Sequence, residues 1–288
     1  MKIAPQKRNP QEAGSATGDL VFDFGLHKGE DTHYYLAKGF RVVAFEADPN
    51  LAGACRQRFA NEIDAGRLNI VEGAVAPASA GEEIVFYVSD KSVWGTTDAN
   101  WVERNRRAGV QAHEIRARRV DLADVLKLFG VPHYMKIDIE GADKYVLEVL
   151  ASQPARPKFI SMESEMVNFN DLLEELQTLR KLGYRRFRAV QQEYIPGTTL
   201  NLHRLDGSRF TYTFPMDASG PFGDEIAGEW LDFDGVVEAY RGIFRRYRTF
   251  GNASLIGRLP GAGRILWWTG KIIGMGLPGW YDTHASLD

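Results

Sequence analysis

The chain has one cysteine, Cys55, among its 288 residues. An intrachain disulfide is excluded, which fits a reducing compartment such as the cytoplasm. Nothing near Cys55 marks it as a nucleophile, so it reads as a packed helix residue. Long apolar runs are lacking as well. None reaches the ~18 residues of a membrane span, and the polar residues 1–18 have no signal-peptide core and read as a loose lead-in. A formal net charge of −3 gives no global pull toward nucleic acid. The histidines (27, 33, 113, 133, 203 and 284) are dispersed without ligand spacing, so no metal is expected. Neither a GxSxG elbow nor a GxxxxGK[ST] phosphate loop occurs. With 44% hydrophobic and 25% charged residues, the chain can fill a globular core.

From about residue 19 to 194, strand-like and helix-like stretches alternate. Strands are expected at 20–25, 41–48, 68–75, 134–141 and 159–165, with final strands at 185–192 and 199–205. Helices are expected at 32–38, at 49–63 behind an Asp48 cap with Pro49 at its first position, at 122–130 behind Asp121, and at 171–182. Residues 82–89 alternate like a half-buried strand and suit a hairpin with 113–120. The alternation predicts an α/β fold: a mostly parallel open sheet in a three-layer sandwich, with ligands at the carboxyl ends of the strands. Past about Arg209 the texture changes to Gly, Pro and aromatic residues without a period, followed by a helix near 234–248. The organisation expected is a lead-in at 1–18, a core domain at 19–208 and a C-terminal extension at 209–288 packing on it.

The first strand ends in Asp23-Phe24-Gly25-Leu26-His27-Lys28-Gly29, and the second ends in Glu46. Glycines let the chain turn off a strand and bring backbone N–H groups near a ligand. A carboxylate about 20 residues on suits the two hydroxyls of a ribose. The loop spells GxxxG rather than GxGxxG, and Asp23 would repel a pyrophosphate. A cationic or amine-bearing ligand suits it better, and S-adenosylmethionine carries both a sulfonium and an α-amino group. A tight turn with an Asp cap is the plainer reading of this loop alone. In the segment 134–141, Lys136, Asp138 and Glu140 share one face of a strand whose other face is apolar. Charges there need partners or a role; a buried Lys–Asp pair is the structural alternative. Tyr34 and Lys38 spell YxxxK, but they lie too early in the chain for a dehydrogenase and read as a helix face.

Together these segments resemble the FkbM family of S-adenosylmethionine-dependent methyltransferases over about residues 20–165. Asp23, Gly25, Gly29 and Thr32 match the family loop DVGANxGxxT, in which Leu26 and His27 replace Ala-Asn. FEADP, EGAVA and MKIDIEGAD match its later motifs. The resemblance implies a class I methyltransferase (Rossmann-like) fold, with a seven-stranded sheet and an antiparallel last strand. It implies cofactor contacts from Asp23, Gly25, Gly29, Thr32, Glu46, Ala47, Glu72, Ala74 and Asp138; His27, a departure from the family motif, is expected near the cofactor by its position in the glycine loop. It also implies O-methylation of a hydroxyl, often on a sugar or polyketide. Asp138 is the first choice for accepting the hydroxyl proton, or it binds the methionine amino group; Glu140, Glu163 and His203 are alternatives.

Substrate contacts are expected from Ser92, Trp94 and Thr96, where aromatic platforms beside acids suit sugar rings, and from Glu163 and Glu165. The acceptor is then a sugar, glycan or glycosylated metabolite, and nucleic acid is not a partner. The basic, aromatic tail with Trp267, Trp268, Ile272 and Trp280 either lies on an anionic inner-membrane surface, packs on the core, or makes a homodimer contact. The competing functional readings are a non-catalytic module of the same fold and an NAD-dependent oxidoreductase.

Overall fold

The computed structural model describes residues 17–89, 112–139, 142–250 and 279–288. The strands are β1 (Thr17–Phe24), β2 (Arg41–Glu46), β3 (Leu68–Glu72), β4 (Ala74–Val75), β5 (Glu83–Ser89), β6 (Ala112–Val120), β7 (Pro132–Ile137), β8 (Phe159–Glu163), β9 (Arg186–Gln191), β10 (Thr199–His203), β11 (Arg209–Thr213) and β12 (Tyr281–Ser286). The helices are α1 (Glu30–Ala37), α2 (Pro49–Arg58), α3 (Ala60–Asp64), α4 (Leu122–Phe129), α5 (Asp143–Ala151), α6 (Phe169–Lys181) and α7 (Phe233–Phe250). Seven strands form one sheet in the order β3-β2-β1-β7-β8-β12-β9. Strand β1 runs parallel to β2 and β7, and β2 runs parallel to β3. Strand β12 is antiparallel to β9. This is the mostly parallel sheet with an antiparallel last strand that the resemblance implied. The added hairpin is present too: β5 and β6 pair antiparallel, with Glu83 opposite Arg118.

Local chemistry sets the helix starts. The Asp48 side chain accepts the Asn50 N–H at 2.8 Å, and Pro49 follows it. Asp121 accepts from Ala123 and Asp124 ahead of α4, which stops at Gly130. The helix expected at 49–63 is two pieces, broken where Phe59 leaves helical geometry (φ −109°, ψ 27°). Helix α5 has no side-chain cap, which is why the sequence pattern did not announce it.

The chain forms two compact units. One comprises the residues up to Ile160 together with Thr199–Ala218. Its centre is aromatic: Phe24 stacks on Phe45 at 4.1 Å, with Phe22 edge-on to both. Residues 199–205, expected as a sheet strand, instead pair with β11 in a two-stranded hairpin. That hairpin is tied to α1 by Lys38 Nζ donating to the His203 carbonyl (3.0 Å), Arg204 Nε donating to the Ala37 carbonyl (3.0 Å) and a His33–Tyr212 hydrogen bond (2.8 Å).

The other unit comprises Ser161–Thr198 and Ser219–Asp288. Within it, β12 is polar in sequence yet buried at every residue. Its Thr283 hydroxyl joins those of Ser164 (2.9 Å) and Tyr240 (2.6 Å), so the burial leaves these groups bonded.

Candidate active site

The carboxyl ends of β1, β2 and β7 converge on a cavity in the first unit. It is open to solvent and measures about 990 Å³ with its mouth included. Gly25, at φ +88°, turns the chain off β1; a Cβ there would collide with the Asp138 backbone oxygen. The next residues are pinned to β2, with the Gly25 and Leu26 N–H groups both donating to the Phe45 carbonyl. Gly29, at φ +82°, caps α1, and a Cβ there would strike the Phe59 ring.

Glu46 at the tip of β2 is 7% exposed and lines the cavity. Its Oε2 accepts the His27 N–H at 2.8 Å and its Oε1 accepts the Asp48 N–H at 2.9 Å. Burial raises its pKa, against the lowering effect of those two amides. The carboxylate is therefore fixed in orientation and keeps lone pairs for further donors.

A second group of charges lies where β1 meets β7. Lys136 stands beside Asp23 in register, and its ammonium lies 3.1 Å from Asp31 and 3.0 Å from Asp138. Burial works against the ammonium, but the carboxylates of Asp138, Asp31 and Asp23 outweigh it and hold the Lys136 pKa well above the usual range. Asp23 is 1% exposed; its Oδ2 accepts the Thr32 hydroxyl at 2.6 Å, and its Oδ1 has no hydrogen-bond partner. Burial pushes the Asp23 pKa up, more than Lys136 pulls it down. Asp138 differs from its neighbours in keeping 46% of its side chain exposed.

Of the residues expected at the site, Gly25, His27, Glu46, Ala47, Ala74 and Asp138 line the cavity. Asp23 and Thr32 sit beneath it as buried support rather than in its wall. Glu72 is exposed at the end of β3, paired to Arg56 at 2.5 Å. His203 is exposed on β10, away from the cavity wall. Glu163 ends β8, and Glu165 accepts the Val167 and Asn168 N–H groups ahead of α6; both are outside the wall. Glu140, Ser92, Trp94 and Thr96 lie outside the described residues, as do Trp267, Trp268 and Ile272 of the tail.

The pattern missed Glu30, Asp31, Gly73, Phe86 and Asp217, all in the wall. Glu30 and Asp31 follow the glycine loop directly and could have been found there. Asp217 carries no sequence signal, since only the β10–β11 hairpin brings it back. Glu30, His27 and Asp217 place a ligand-type atom from each within 4.8 Å of the others. Among the described residues, six carboxylates line the cavity (Glu30, Asp31, Glu46, Asp48, Asp138 and Asp217), against the Lys136 ammonium. That excess suits a cationic ligand and repels a pyrophosphate.

Comparison with known proteins places the chain in a family. One curated relative, from Haloarcula marismortui, is named "Probable ribosomal RNA small subunit methyltransferase A"; it is 43% identical over 68 residues, 23% of this chain. The matched segment spans only 24% of that relative's length. Among solved structures, precorrin-6y C5,15-methyltransferase from Geobacter metallireducens aligns with 12% identity over 69% of this chain and 77% of its own, at a TM-score of 0.34. The C-terminal domain of the Rhodobacter capsulatus precorrin-6Y C5,15-methyltransferase aligns with 14% identity over 70% and 78%, at 0.36. The family model described as "Methyltransferase FkbM domain" matches residues 23–186, from Asp23 of the glycine loop to the start of β9. With more than half of its length so matched, the chain belongs to the FkbM methyltransferase family.

Proposed function

We propose that this chain is an S-adenosylmethionine-dependent O-methyltransferase acting on a hydroxyl of a sugar, glycan or glycosylated metabolite. The observation that carries the reading is the acidic cavity with Glu46 fixed at the tip of β2. Its residues fit the cofactor. Glu46 can accept both ribose hydroxyls, because each of its oxygens takes one backbone amide and keeps a lone pair for a further donor. Asp31 offers negative charge to an α-amino group, and Gly25, having no Cβ, lets the loop backbone close against Asp138 at the cavity wall. When bound, the cofactor supplies an electrophilic methyl group.

The chain's own contribution is alignment and proton handling. Asp138 is the group suited to accept the acceptor's hydroxyl proton: it is in the cavity wall and nearly half exposed. Lys136 holds that carboxylate in place from below, itself anchored by Asp31. Phe45, Leu51, Val75 and Phe86 give the wall an apolar side.

Calorimetry with S-adenosylmethionine and S-adenosylhomocysteine tests the first half of the reading, and no binding at near-millimolar cofactor overturns it. Methyl transfer to a panel of sugars and glycosides tests the second half. Asp138→Asn is expected to abolish transfer; full activity in that variant removes Asp138 from its role.

A further inference from the structure

We propose that His27, Glu30 and Asp217 form a binding site for one divalent first-row transition-metal ion at the wall of the cavity. The three offer one imidazole nitrogen and two carboxylates, with their ligand atoms all within 4.8 Å of one another. A metal with ligand bonds of about 2.0–2.2 Å needs its ligand atoms roughly 3–4 Å apart, so a modest contraction brings all three onto one ion. The His27 Nδ1–Glu30 Oε2 separation, 3.3 Å, already matches one edge of such a shell.

The site is built from two separate parts of the chain. His27 and Glu30 flank the Gly29 cap of α1, and Asp217 follows the β10–β11 hairpin. The hairpin is bonded to the C-terminal end of the same helix through Lys38 and Arg204. Helix α1 therefore serves as a common base that sets Asp217 against the glycine loop. Both His27 (φ +50°) and Asp217 (φ +67°) hold left-handed backbone conformations that side-chain-bearing residues seldom adopt.

The His27–Glu30 contact joins two of the three groups. Asp217 brings a second carboxylate to a wall already rich in acids. A divalent cation balances both carboxylates and leaves the imidazole neutral. One nitrogen with two carboxylates favours manganese- or zinc-like ions over magnesium, which prefers an all-oxygen shell. All three side chains line the cavity, so the metal's remaining positions are open to an oxygen of whatever molecule occupies it.

The test is a manganese(II) titration of the full, metal-stripped, cofactor-free chain, followed by electron paramagnetic resonance and calorimetry. One saturable manganese per chain is expected. His27→Ala and Asp217→Asn should each weaken it about tenfold or more. Thermal unfolding in chelator establishes that the variants fold, and manganese should raise the midpoint of the wild type more than that of either variant. Absence of saturable binding at millimolar manganese overturns the proposal, as does equal binding in wild type and folded variants. The readout involves no cofactor and no methyl transfer. A negative result therefore leaves the methyltransferase reading standing, and a failure of cofactor binding leaves the metal result intact.

Discussion

Replacing Glu46 with glutamine separates its two jobs. The carboxylate now accepts two backbone N–H groups, from His27 and Asp48, in a site 7% exposed. Glutamine keeps the shape but only one oxygen, so its amide N–H₂ must face one of those donors. A buried N–H left without an acceptor costs about 1–3 kcal/mol. At roughly 2–4 °C per kcal/mol for a chain of this size, the unfolding midpoint of the ligand-free protein should fall by about 2–12 °C.

Binding suffers separately. A ribose hydroxyl bonded to a charged acceptor contributes about 1.5–3 kcal/mol, so losing one weakens S-adenosylhomocysteine about 10- to 150-fold. Calorimetry and thermal unfolding on the same samples read both effects. A lowered midpoint with the dissociation constant within about twofold of wild type would refute the ribose role and leave Glu46 as a loop tie. pH adds a further check. The folded-state pKa of Glu46 is raised by burial, so affinity should fall on acidifying through a value above that of an ordinary glutamate. The glutamine variant should lack that dependence.

Lys136→Met leaves Asp23, Asp31 and Asp138 without their cation. A loss of about 3–5 kcal/mol in chemical denaturation at pH 7 is expected. Burial holds the folded pKa of Asp23 above its unfolded value, so protonating it favours the fold and the deficit should narrow as pH falls; a deficit that widens on acidification refutes the account. His284 in β12 is pushed down to about 3 by burial and the nearby Arg188 charge. Its folded pKa lies below the unfolded 6.5, so its stabilising effect is present above that value and is lost as pH drops toward 3. His284→Gln should flatten the acid side of the stability profile by up to ~1.4 kcal/mol per pH unit. An unchanged slope between pH 6 and 4 counts against this.

The readable parts of this protein are those whose chemistry is local. The glycine loop, the Asp48 and Asp121 caps and Glu46 at a strand tip each follow from residues a few positions apart. Their order along the chain therefore announced both the sheet and the family. Helix α5 escaped because it starts without a cap. Strand β12 escaped because Tyr-Asp-Thr-His-Ala-Ser looks like a surface segment until Ser164 and Tyr240 bond its buried Thr283 hydroxyl. Residues 199–205 alternated like a sheet strand, but alternation does not name the partner, and that partner is β11.

The sequence by itself determined the alternating fold, the glycine turn and the acid at the tip of β2, because each rests on backbone geometry and short spacing. Only the tertiary structure decided that Lys136 would pair with Asp31 and Asp138 beside Asp23, that His203 would face solvent, and that Asp217 would return to the wall beside His27 and Glu30. Those outcomes depend on which strands lie side by side and on a hairpin anchored to α1, and contacts between distant residues leave no periodic trace in the chain.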